Sequence, residues 1–166
     1  MLKLIGCIFI LASCTGIGFS KSREMQCHLN ELEELKKIFH LLKSELQYTR
    51  ATFAEVFEKI GPKTREPFQA WLCNLCTSLN DKCGSGFWEM WNASIEEHLK
   101  DCRLKQDELN ELKNVGKNLE YIESLDLFIE QMEYRIKNTR ESYRTKRKLC
   151  QSLGIMGGIF LVILLL

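Results

Sequence analysis

Both ends of this chain are apolar, Leu4 to Phe19 at the start and Leu153 to Leu166 at the finish, with a polar stretch between them. An apolar segment placed in a bilayer must satisfy its backbone internally, which confines it to helix. Crossing the hydrocarbon takes ~20 apolar residues; each run is a few short of that, so both are marginal spans. The expected layout is an N-terminal membrane anchor over 1–20, a helical domain over 21–150 and a C-terminal membrane anchor over 151–166.

The first run follows a lysine and has a short apolar core, which also fits a secretory signal peptide. Leu11-Ala12-Ser13-Cys14 resembles a bacterial lipoprotein cleavage box. Processing there would make Cys14 a lipidated N-terminus and leave an extracytoplasmic helical binding module. Apolar character that continues through Ile17 to Phe19 favours an uncleaved anchor, and so does charge. Lys21 and Arg23 follow the first segment, and Lys137, Arg140, Arg144, Lys146, Arg147 and Lys148 precede the second. Basic residues flanking membrane segments stay in the cytoplasm, which places the central domain there and both termini on the far side. The run from Arg140 to Lys148 is the candidate membrane-surface site, because cationic side chains beside a membrane are drawn to anionic headgroups.

The closing segment carries Gly154, Gly157 and Gly158, and positions 154 and 158 form a small-xxx-small pair that lets helices approach closely in lipid. Gly6, Ser13 and Gly16 give the first segment a comparable stripe. These glycines are the candidate membrane-helix packing residues.

Between the ends, about 130 residues suffice for one domain with a core. Leu29, Leu32, Leu35, Phe39, Leu42 and Leu46 recur at steps of three and four, the period of an amphipathic helix. Thr52 and Glu55 form a capping box that opens a second helix lined by Phe53, Val56, Phe57 and Ile60, which Gly61-Pro62 stops. Pro67 suits the first turn of a third, continued by Phe68, Trp71, Leu72, Leu75 and Leu79, and Asn80 to Gly86 is a loop. Trp88, Trp91, Ile95, Leu99 and Cys102 line a fourth helix, Leu109, Leu112, Val115 and Leu119 a fifth, and Leu125, Phe128, Ile129, Met132 and Ile136 a sixth. No alternating run suggests a strand. The fold class is all-α, a cytoplasmic bundle of about six helices flanked by the two membrane helices.

Chemistry-bearing motifs are few. Neither dinucleotide nor P-loop glycine pattern occurs. His28, His40 and His98 sit on helix patterns and are expected on solvated faces, so no catalytic residue and no cofactor is assigned. The formal net charge of +1, and basic residues without interleaved aromatics, argue against nucleic acid as a partner. Eight cysteines invite a disulfide reading, but a reducing compartment keeps thiols free. Cys7 and Cys14 read as small membrane-facing residues. Cys73, Cys76 and Cys83 with His98 and Cys102 could assemble a tetrahedral zinc site. A Cys73-x-x-Cys76 pair inside a helix fits a structural zinc turn poorly, and a buried Cys76 with Cys73 at the flank of the same face explains it as well.

Several of these segments resemble the stage III sporulation protein AB family of endospore-forming bacteria. They are Met1-Leu2-Lys3-Leu4-Ile5-Gly6 at the start, Leu29-Asn30-Glu31-Leu32, Glu45-Leu46-Gln47-Tyr48, the stretch Thr52 to Phe57, Phe87-Trp88 to Trp91, and the closing run Ser152 to Leu166. The chain departs where the family tends to have a Leu-Gly turn with nearby Asp and Gln, carrying Leu119-Glu120, Glu123 and Leu127 instead. The resemblance implies a non-enzymatic subunit of the secretion-like channel complex between mother cell and forespore, needed after engulfment. It also implies a domain similar to the cytoplasmic domain of type II secretion and type IV pilus platform proteins. On that analogy the partners are the mother-cell membrane facing the forespore, other channel subunits and a cytoplasmic secretion-type ATPase.

Overall fold

The computed structural model describes residues 2–49, 51–81, 86–119 and 121–165, without the side chains of 2–21, 147, 150, 151, 153–155 and 157–165. The side chains at Gly6, Cys7, Cys14, Gly16, Arg147, Gly154, Gly157 and Gly158 therefore lie outside the described residues, as does Cys83 altogether. The described residues form helices and no strand. In order these are α1 (Leu2–Thr49), α2 (Phe53–Ile60), a single 3-10 turn (Gly61–Lys63), α3 (Phe68–Asn80), α4 (Phe87–His98), α5 (Gln106–Val115) and α6 (Ile122–Leu165).

Among the described residues there are six α-helices, where six plus two flanking membrane helices were expected. Each terminal apolar run is continuous with the amphipathic helix beside it, in α1 and in α6. The reason is local: residues 20–28 and 137–152 contain no proline, glycine or turn cluster, so nothing stops propagation once a helix is nucleated. Among the described residues, no helix is long and apolar enough to cross a membrane.

The chain divides into two compact units, one of Met1–Leu29 with Lys137–Leu166 and the other of Asn30–Ile136. In the first, the Ser22 and Tyr143 hydroxyls, from α1 and α6, are hydrogen-bonded at 3.0 Å. In the second, α1 and α6 pair antiparallel along apolar stripes. Leu32, Leu35, Phe39 and Leu42 are buried on α1, and Leu125, Phe128, Met132 and Ile136 on α6. Phe39 and Phe128 meet with ring centroids 4.4 Å apart. Beside this seam Lys36 pairs with Glu133 at 3.5 Å and Lys43 pairs with Asp126. The two pairs step seven residues forward on one helix and seven back on the other, the register of an antiparallel heptad seam.

Helix α2 begins as its capping box predicts. The Glu55 carboxylate accepts the Thr52 backbone N–H at 2.8 Å, and the Thr52 hydroxyl accepts the Glu55 N–H at 3.5 Å. The stop at Gly61-Pro62 appears as the 3-10 turn, closed by Thr64, whose hydroxyl donates to the Gly61 carbonyl at 2.7 Å. Pro67 stands at the cap position just before α3 rather than inside its first turn. The aromatic centre joins α3, α4 and α5. Trp71 and Trp91 meet edge to face at 4.9 Å, and the Ser94 hydroxyl donates to the Trp71 carbonyl at 3.4 Å. Trp91 in turn donates its Nε1–H to the Leu112 carbonyl at 2.9 Å.

Helix α5 ends at Val115 rather than continuing to Leu119, and just beyond it the chain runs against the Trp91 indole. A Cβ on the buried Gly116 would lie 2.6 Å from Trp91 Nε1 and 2.7 Å from its Cγ, so only glycine lets the chain pass the indole here. Leu119 is still buried, but from the turn beyond. Trp88 differs from its neighbour one turn on: it is 43% exposed, with the Lys117 ammonium 5.1 Å from its ring centroid. Three residues place Trp88 and Trp91 on adjoining faces of α4, and only the second points inward.

Candidate functional site

The basic run falls on α6 in the first unit. Arg140, Arg144, Lys146 and Lys148 are exposed. Lys137, Arg140, Arg144 and Lys148 follow one another at steps of three, four and four, which puts four cations on one face of the helix. Lys146 lies on another face. The four-cation stripe gathers positive charge on one side of the helix.

The described residues of the candidate zinc site fall on three separate elements. Cys73 and Cys76 are on α3, the first exposed and the second half-buried. This corrects the expectation of a buried Cys76: the α3 core face is made by Phe68, Trp71, Leu72 and Leu75, and residue 76 turns to its edge. Burial raises the Cys76 thiol pKa, with the Glu58 carboxylate adding to the effect. Cys102 is half-buried in the connection after α4, and its pKa is raised chiefly by burial. His98 lies in the last turn of α4 with Nε2 3.9 Å from a Glu97 carboxylate oxygen. Among the described residues no group of three or more His, Cys, Asp or Glu side chains is arranged to hold a metal ion. His40 is exposed as expected, whereas His28 is buried, because it adjoins Leu29 on the inner side of α1.

Several carboxylates serve the packing. Glu31 of α1 accepts the Arg103 backbone N–H at 2.6 Å and so catches the connection between α4 and α5. Glu108 is buried and accepts the Lys105 N–H at 2.7 Å, capping α5. Arg135 of α6 reaches across to Asp107 at 3.0 Å and to Glu111, fastening α5 to α6. The Arg135 hydrogen bond holds the Asp107 carboxyl below its ordinary range. The only signal for these contacts in the sequence was charge at helix spacing, which does not say which partner a side chain finds across the bundle.

One outward surface had no sequence signal at all. Leu127 is 59% and Tyr134 68% exposed on α6, on the side of the helix away from its buried stripe.

The sequence profile of the family described as stage III sporulation protein AB matches residues 3–166. The chain belongs to this family. Its match takes in both terminal runs as well as the middle, and it makes this stage III sporulation protein AB family member a protein of sporulation. A curated relative from Bacillus subtilis (strain 168), stage III sporulation protein AB, is 22% identical over 172 residues, covering 100% of each chain. A solved structure bearing the same name superposes with a TM-score of 0.65 at 14% identity, covering 71% of this chain and 97% of that one. At that identity the likeness shows the helical fold, and the fold is the expected all-α one.

Proposed function

We propose that the chain is a non-enzymatic membrane platform, one subunit of the secretion-like channel complex between mother cell and forespore, required for endospore development after engulfment. The two terminal helical segments anchor it in the mother-cell membrane, and the unit of residues 30–136 faces the cytoplasm. Its partners are other subunits of the channel and a cytoplasmic secretion-type ATPase. The observation that supports this reading is the family match over residues 3–166, which makes the apolar ends part of the family pattern rather than appendages. The cationic stripe of Lys137, Arg140, Arg144 and Lys148 suits a position against anionic headgroups. Gly154, Gly157 and Gly158, with Gly6 and Gly16, supply small residues for close helix contact in lipid.

The test is an in-frame deletion in the native organism, scored for heat-resistant spores and, by microscopy, for the stage of arrest. Arrest after engulfment with normal vegetative growth is expected. Normal sporulation would overturn the reading. Fractionation of the full-length protein should find it in the membrane pellet after a high-salt wash, and recovery in the supernatant would remove the anchors.

A further inference from the structure

Leu127 and Tyr134 are seven residues apart on α6, a spacing that returns to the same face within 20°. That face is opposite the buried side of the helix, where Leu125, Phe128 and Met132 meet the bundle. Two large side chains held out in water, one heptad apart, contribute nothing to the core of their own unit, yet they have the spacing of anchors for a partner helix. The flank of the stripe is acidic. Glu123 and Glu130 are exposed beside it, and among the described residues neither forms an ion pair.

We propose that this face of α6 docks a basic amphipathic helix of a different protein, with Leu127 and Tyr134 as its apolar anchors and Glu123 and Glu130 meeting its lysines or arginines. The inference rests on the platform reading for the place of the partner, which approaches from the cytoplasm. Charge decides the occupant. Two copies of this chain meeting in parallel through this face would set Glu123 and Glu130 against themselves, and like charges so placed repel. An anionic membrane is repelled by the same carboxylates. A cationic helix satisfies both the apolar pair and the acidic flank, and steering by opposite charge speeds its encounter.

The experiment uses the full-length chain expressed in sporulating cells of the native organism, with a photo-crosslinking amino acid at position 127 or 134 and, as a control, at the exposed position 69 on α3. The expected result is a protein adduct from 127 and from 134 but not from 69, with the crosslinked peptide of the partner mapping to a helical segment rich in lysine and arginine. Charge reversal by Glu123→Lys with Glu130→Lys leaves both anchors in place and should reduce the adduct yield roughly tenfold, the equivalent of about 1.4 kcal/mol. Adducts joining two copies of this chain, adducts to lipid, equal adducts from position 69, or a yield untouched by charge reversal would each overturn the proposal. Tyr134→Asp in a chain with unchanged helicity should lower heat-resistant spore counts, and unaltered counts would count against it. A deletion strain that sporulates normally defeats the platform reading itself. Arrest on deletion beside normal sporulation of Tyr134→Asp defeats only this surface.

Discussion

Replacing Gly116 by alanine tests the packing of the aromatic centre at its tightest point. Gly116 has helical dihedrals, φ −58° and ψ −23°, which alanine adopts readily. On backbone grounds alone the change would stabilise by about 0.5–1 kcal/mol, through a less disordered unfolded chain. The new methyl, however, would sit 2.6 Å from Trp91 Nε1. The indole has nowhere to yield: its N–H is held by the Leu112 carbonyl, Trp71 lies at 4.9 Å, Phe87 at 5.8 Å and Phe57 at 6.3 Å. Overpacking of this kind costs about 1–3 kcal/mol, and displacing the indole from its hydrogen bond adds about 1 kcal/mol. The net expectation is a loss of about 2 kcal/mol, which in a unit of this size lowers Tm by roughly 10 °C. Near-ultraviolet circular dichroism of the full-length protein in mild detergent follows the tryptophan environment through the melt. In a Trp91→Phe background, where a smaller ring has no N–H to displace, the same alanine should cost less than about 1 kcal/mol, leaving a coupling between the two sites of about 1 kcal/mol or more. A Gly116→Ala protein that melts at or above the parent temperature would refute the argument, as would strict additivity of the two changes.

Arg135→Gln releases Asp107 and Glu111 from α6. A carboxyl whose native pKa is held down contributes stability above its unfolded pKa and loses it as pH falls through the native value. The variant should therefore be less stable at pH 7, by a few tenths to about 1 kcal/mol for so exposed a pair, and should converge with the parent below about pH 3. Urea unfolding at the two pH values checks this, and a constant difference would contradict it. Among the described cysteines, thiol alkylation followed by mass spectrometry should label Cys27 and Cys73 first, because both are exposed, and Cys102 last, because burial both shields it and raises its pKa. Equal rates at Cys73 and Cys102 would show that the connection after α4 opens readily.

The helical fold was legible because its signal is local. Leu32, Leu35, Phe39 and Leu42 carry their period in the sequence, and Thr52 with Glu55 announces where α2 begins. What periodicity cannot supply is the depth of each residue within its stripe. Trp88 and Trp91 share a stripe at the resolution of spacing, yet one is half in water and the other fully enclosed, because the backbone at Gly116 closes over the second whereas the first carries the Lys117 ammonium over its ring. His28 and Cys76 exchanged their expected environments for the same reason, each lying at the edge of a face whose width is set by the neighbouring helix. The continuity of α1 and α6 was hidden by reading apolar runs and amphipathic stretches as different kinds of segment, although the backbone between them has no reason to break. As for the candidate site, the cations from Arg140 to Lys148 were visible as a run, and the helix sorted them into a stripe. Leu127 and Tyr134 gave no warning, since a lone apolar residue among polar ones looks alike whether it serves a core or a partner.

The antiparallel seam between α1 and α6 means that the unit of residues 30–136 is entered and left at one end, with Lys36 and Glu133 nearest its opening and Lys43 and Asp126 deeper in. Tension that draws residues 30 and 136 apart is therefore applied as in a zipper, meeting the contacts one after another instead of loading them all together in shear. The Glu31–Arg103 and Arg135–Asp107 contacts, which tie α1 and α6 to the α4–α5 connection and to α5, are loaded first together with the Lys36–Glu133 pair, and the Phe39–Phe128 contact follows. A bundle so connected resists lateral crowding through its aromatic centre, yet yields progressively to separation of its ends.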